Sequence, residues 1–179
     1  MTTKTIYVPQ PDPSSCQSAC LAMVLRTTDV PGIHAELELI GDPGDPTVMD
    51  DYIALRVKSY KFLLSGSLND AKKALDDGCV VITHGWFTVP GHVILLIGYE
   101  PDPATLSHRF IVHDPWAEYD FSNGGYDDSS KTGESVRYSS LGIYATCVDS
   151  FDYEQACEIY RQKTFKSDEQ NAWLHIIQN

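Results

Sequence analysis

CVVITHGWFTVPGHVILLIGYEPDPATLSHRFIVHD, residues 79–114, holds three strands and two short connections in one stretch. Val, Ile, Thr, Tyr and Phe crowd its apolar runs, as they do in strands. Cys79 to Gly85 is the first strand, and the aromatic-bearing GWFTVPG follows it as a loop. His92 to Glu100 is apolar almost throughout, the pattern of a strand buried on both faces. PDPATLS makes the second turn, and His108 to Asp114 is the third strand. Connections this short join antiparallel neighbours.

Upstream of this sheet the pattern is helical. PDPSS (Pro11–Ser15) is turn-forming, and Ser14 and Ser15 are N-cap candidates. The segment Cys16 to Arg26 then reads as a helix, with Ala19, Cys20, Met23 and Val24 at helical spacing. A short helix is expected over 33–40, a loop at GDPGDP (Gly41–Pro46), and a helix capped by Thr47 running to about Lys58. Ser67 is expected to cap another helix, which Gly78 ends. Residues 1–9 read as a short strand or arm, and 117–135 as a long Gly-, Asp- and Ser-rich surface loop. One or two further strands are expected within Val136 to Val148, and a C-terminal helical extension over 151–179. The fold class is α+β: an N-terminal helical part packed on an antiparallel sheet, in a single domain over 1–179.

The 179 residues are 42% hydrophobic, enough for a folded core. A net charge of −12 argues against nucleic acid as a partner. No apolar run approaches the roughly 20 residues that span a membrane. MTTKTIYVPQ carries no apolar signal-peptide core, so the expectation is a protein cytoplasmic as synthesised, with any export by another route. Five scattered cysteines do not resemble a disulfide framework.

Cys16 stands where a loop becomes a helix, and the orphan N–H groups of a first helical turn favour a thiolate. A base must come from His34, His84, His92, His108, His113 or His175. His92 opens the most apolar strand after Pro90-Gly91, and His84 is its nearest rival. Asp114 ends the following strand and is placed to orient an imidazole at that end of the sheet. Gln10, six residues before Cys16, is a candidate side-chain donor to an oxyanion, beside the Cys16 backbone N–H.

Gln10-x5-Cys16-x3-Cys20-Leu-Ala-Met resembles the opening of the C39-like cysteine peptidase family. PGHVILLIGYE and RFIVHDPW resemble that family's G-H-strand-G-Y and H/N-D-P-W/Y blocks, in the family's order. The resemblance implies a papain-like fold and a thiol peptidase with Cys16 as nucleophile, His92 as base, Asp114 as orienter and Gln10 at the oxyanion. It implies no cofactor and no metal. AEYDFSNGGYDDSSKTGESVRY (117–138) resembles members found in phage proteins or beside cell-wall-binding modules, which points to peptidoglycan peptides as substrate. Ser15-Cys16-Gln17 departs from the family's usual Asp-Cys-Gly.

Four other readings stand beside this one. Cys16, Cys20 and a histidine have part of a zinc ligand set, but no second pair completes it. Cys20, one helical turn from Cys16, is a rival nucleophile. The chain could be a non-catalytic papain-like binding protein, or a transglutaminase or deamidase with the same residues; the sequence leaves oligomeric state open.

Overall fold

The computed structural model describes residues 5–105, 107–126, 132–166 and 170–178. In chain order its helices are α1 Cys16–Leu25, α2 Val30–Ile40, α3 Pro46–Ala54, α4 Leu68–Asp76, α5 Ser140–Cys147 and α6 Tyr153–Gln162. Its strands are β1 Tyr60–Gly66, β2 Cys79–Gly85, β3 His92–Pro101, β4 His108–His113, β5 Tyr119–Asp120, β6 Gly125–Tyr126, β7 Val136–Ser139 and β8 Ala172–Gln178. β5 and β6 pair only with each other; the other strands form one antiparallel sheet in the order β1-β8-β2-β3-β4-β7.

The strands of residues 79–114 form as read and sit at the middle of this sheet. Both of its faces are covered. Val80, Ile82, Val93, Leu95 and Ile97 pack with α1, α2 and α3, whereas Val81, Ile94, Leu96, Phe110 and Val112 pack with residues of α4 and α5. The period-two alternation of a strand explains the division, since successive side chains leave opposite faces. The result is the expected α+β architecture, with the N-terminal helices on one face.

α1 is buried from Gln17 to Val24, so it is apolar nearly all round rather than amphipathic. It ends at Arg26, whose φ of 56° is left-handed. Ser15 is the N-cap by position, but its hydroxyl serves Asp12 instead of the helix. α4 has the capping box expected from Ser67, closed with Asp70. Asp45, rather than Thr47, caps α3, accepting from the Thr47 N–H.

The structure corrects and adds to these readings. Residues 151–179 are not a helical extension: after α6 the chain adds β8 between β1 and β2, hidden from water on both faces along much of its length. β1, within a stretch that carried no strand assignment, becomes its partner. Within Val136–Val148 only β7 is a strand; Ser139 then accepts from the Gly142 N–H and starts α5. The loop at 117–135 contains the β5–β6 pair and buries Ala117 and Tyr119; residues 127–131 lie outside the described residues, as do the first four of the arm expected at 1–9.

Candidate active site

α1 brings Cys16 to the sheet at the point where β3 begins. Cys16 is partly exposed at the first helical position, while the helix behind it is buried. Asp12 shapes the approach: Oδ1 accepts from the Ser14 N–H (2.8 Å) and hydroxyl (2.7 Å), and Oδ2 accepts from Ser15 Oγ (2.5 Å). These bonds hold the Asp12 carboxyl below its ordinary value, the Ser15 hydroxyl contributing most.

His92 is set by the turn before it. Gly91 adopts a φ of +86°, a conformation that side chains resist, and its N–H donates to Thr88 O at 2.9 Å. The loop 85–91 is tied down where the Trp86 N–H donates to Thr146 O (2.9 Å). In the β2–β3 register His92 faces Gly85 and His84 faces Val93. β3 and β4 are antiparallel, so the start of one and the end of the other coincide, and Asp114 follows directly on β4.

His92 Nε2 lies 2.9 Å from Asp114 Oδ1, and both groups are buried. With Nε2 engaged, Nδ1 is the ring nitrogen left for Cys16, whose thiol itself donates to Gln17 Oε1 at 3.2 Å. Burial opposes the imidazolium, but the Asp114 charge and hydrogen bond, joined by Cys16, override it and push His92 up to about 10. Asp114 itself is saturated. Oδ1 also accepts from the Trp116 N–H (3.0 Å), and Oδ2 accepts from Tyr126 (3.0 Å) and Tyr138 (2.8 Å). Its backbone is pinned as well: the N–H donates to Gly133 O (2.9 Å), and the carbonyl accepts from the Tyr7 hydroxyl (3.1 Å). A Cβ at Gly133 would fall 1.8 Å from Asp114 O, so only glycine allows this approach.

A cleft of about 900 Å³ opens over the thiol and imidazole. Cys16, Gln17, His92, His84, Trp86 and Trp173 are among its walls. Trp116, by contrast, stands outside the lining and packs near Tyr126 (ring centroids 6.5 Å).

The structure therefore brings together Cys16, His92 and Asp114. Gln10 lies nearby in the chain but is not part of the cleft lining. Its backbone N–H donates to Pro115 O (2.8 Å), and its amide nitrogen donates to Asp12 O (2.7 Å). Cys20 is fully buried, donates toward Val93 O at 3.5 Å, and has its thiol pushed well up by burial. Gln17 is buried and folds back: its amide nitrogen donates to Ser14 O (3.0 Å), and Oε1 accepts from the Cys16 thiol at 3.2 Å. Sequence reasoning marked Gln17 only as a departure and missed this contact. It missed Tyr126 and Tyr138 too; their hydroxyls sit in a region read as loop and strand, and nothing in spacing ties them to Asp114.

All five cysteines are free. Among the described residues no helix is long and apolar enough to cross a membrane. No curated protein matches the chain. The family model described as Peptidase_C39 like family matches residues 2–176, and the chain belongs to that family.

Proposed function

Starting from membership of the C39-like peptidases, a family of cysteine peptidases with a papain-like fold, we propose that this protein cleaves peptide or amide bonds with Cys16 as nucleophile, His92 as base and Asp114 as orienter. The observation that carries the proposal is a thiol and an imidazole lining one cleft, Cys16 and His92, with the imidazole bonded to the buried Asp114 carboxylate at 2.9 Å.

The chemistry follows from the geometry. Cys16 gives its proton to His92 and attacks the substrate carbonyl as thiolate. The Cys16 backbone N–H, an orphan donor of the first helical turn, faces the developing oxyanion. Gln10, the second donor expected from the sequence, does not line the cleft, and its amide would have to turn away from Asp12 O to reach the oxyanion. The His92 imidazolium protonates the leaving amine, and the thioester remains. Water then enters, His92 accepts its proton, and the acid is released. Asp114 keeps the ring in the tautomer with Nε2–H and stabilises its charged form.

Peptidoglycan peptides are the substrate class to test first, beside a general library of internally quenched peptides, with Cys16→Ala as control. Cleavage by the wild type alone supports the reading. Mass analysis of the products separates hydrolysis from amine transfer and from loss of ammonia. Alkylation of Cys16 by iodoacetamide no faster than a free cysteine, with no turnover of either substrate, would overturn it.

A further inference from the structure

The sheet face that packs under α1, α2 and α3 is not covered to its end. Along β2 and β3, Val80, Ile82, Val93 and Leu95 lie in the core shared with these helices. β8 carries the same face onward. Ala172 and Leu174 pack in the opposite core and Ile177 in the helix-covered one, so Trp173 and His175 share the face of Ile177. Along that face the cover runs out: Ile177 and His175 are buried, whereas Trp173 is 40% exposed. Leu64 of β1, at the irregularity between Leu63 and Gly66 where β1 pairs with β8, is 51% exposed. Trp173 and Leu64 both line the cleft that holds Cys16 and His92.

Large apolar side chains scattered singly over a surface are ordinary. These two are not scattered, since Trp86 and the exposed Phe151 stand in the same lining. Trp173 is also braced from behind. It packs edge-on against His84 at 5.6 Å between ring centroids, His84 Nε2 is 3.2 Å from His175 Nε2, and the buried His175 stacks on Phe62 at 4.5 Å. A surface ordered in advance loses little freedom when a ligand settles on it. Burial lowers His84 to about 4, with Asp45 opposing and His92 assisting, so the ring is neutral near pH 7 and brings no charge to this floor.

Two carboxylates share the cleft, and both are engaged elsewhere. Glu38 is 62% exposed and lies 3.7 Å from His34 Nε2, and Asp42 Oδ1 accepts from the Gly44 N–H at 2.9 Å. Exposed charges are screened by water and salt, whereas a side chain laid on Trp173 and Leu64 removes apolar surface of both partners from water. Leu64 decides the class of ligand. An aromatic face alone suits a cation as well as an apolar group, but a branched aliphatic group gives a cation no partner.

Resting on the peptidase reading above, we propose that Trp173 and Leu64 form the floor of a substrate subsite that takes a large apolar side chain, aliphatic or aromatic, of the peptide cut at Cys16. The contact is made in the ground state as in the transition state, so it acts through KM.

Two measurements on the full chain test this. The first is a library of internally quenched peptides scanned with Gly, Ala, Leu, Phe, Lys and Glu. The wild type is expected to prefer Leu or Phe over Ala at one position by about tenfold or more in kcat/KM, carried in KM. The second needs no turnover: N-iodoacetyl amides of Phe, Leu, Ala and Lys are timed on Cys16, and the Phe and Leu reagents should react about tenfold faster than the Ala reagent. Trp173→Ala should lose both preferences, and Leu64→Gln should weaken both. Plain iodoacetamide should alkylate Cys16 at the wild-type rate in both variants; if it slows in Trp173→Ala, the half-exposed Leu64→Gln decides. Cleavage with no apolar preference, a preference for Lys, or a preference undiminished in Leu64→Gln overturns the subsite and leaves the peptidase reading standing. Selective alkylation by the Phe and Leu reagents with no peptide cleaved overturns the peptidase reading and leaves the apolar subsite.

Discussion

His92 and Asp114 are bonded at 2.9 Å, and the same carboxylate takes hydrogen bonds from Trp116, Tyr126 and Tyr138. Asp114 thus does two jobs, orienting the imidazole and closing the polar interior behind it. In Asp114→Asn one amide N–H must face a donor. Turnover should fall by about 10²-fold or more, and stability by about 1–3 kcal/mol. Alkylation of Cys16 should persist. Denaturant melts beside steady-state kinetics check this; an unchanged melt would show that the four-donor arrangement carries no stability.

Removing a single phenol separates the two jobs. Tyr138→Phe takes one donor from Oδ2, strips the Tyr119 N–H of its acceptor and leaves His92 untouched, and should cost about 1–3 kcal/mol with kcat changed less than fivefold. A loss in kcat as large as that of Asp114→Asn would mean that the Tyr138 bond governs the orientation of His92.

Cys16→Ala should abolish turnover and leave the melting temperature within a few degrees of wild type, since its side chain is partly exposed. Cys20→Ala should lower the melting temperature, because the thiol is wholly buried, yet keep both activity and alkylation. The opposite pattern would reassign the nucleophile to Cys20.

Gln17 Oε1 accepts from the Cys16 thiol at 3.2 Å, and this bond must break before the thiol can hand its proton to His92. Gln17→Ala removes an acceptor worth about 1 kcal/mol. Alkylation of Cys16 near neutral pH should speed up about fivefold. A slower rate would show that Gln17 supports the thiolate instead.

Stability should fall at both ends of the pH scale. His92 is raised to about 10 in the folded chain, so its stabilisation is complete below the unfolded value near 6.5 and is lost as pH rises toward 10. His84 is lowered to about 4 and His175 to about 2, so the unfolded chain binds their protons first, and stability is lost as pH falls below about 6.5. Thermal melts from pH 4 to 10 should show both slopes. The alkaline slope should flatten in His92→Gln and the acid slope in His84→Gln.

The three central strands were legible because each is an apolar, β-branched run between Gly or Pro turns, and the convergence of His92 with Asp114 followed from their antiparallel pairing. α1 was legible from its helix formers and from the PDPSS turn. β1 and β8 were not. Leu174, His175 and Ile177 are all buried, and a strand covered on both faces shows no alternation to separate it from a buried helix. α5 was hidden for a related reason. Ile143, Tyr144, Thr146 and Cys147 favour strands intrinsically, but all are buried, and tertiary packing around a Ser139 cap overrides propensity.

The threading of β8 between β1 and β2 also orders events during synthesis. α1 and β2 to β4 can pair as soon as they leave the ribosome, so the thiol, imidazole and carboxylate meet early. β1 emerges before β2 to β4 but has no strand partner until Ala172–Gln178 arrives. A nascent chain therefore brings Cys16, His92 and Asp114 together before the sheet is closed around β8.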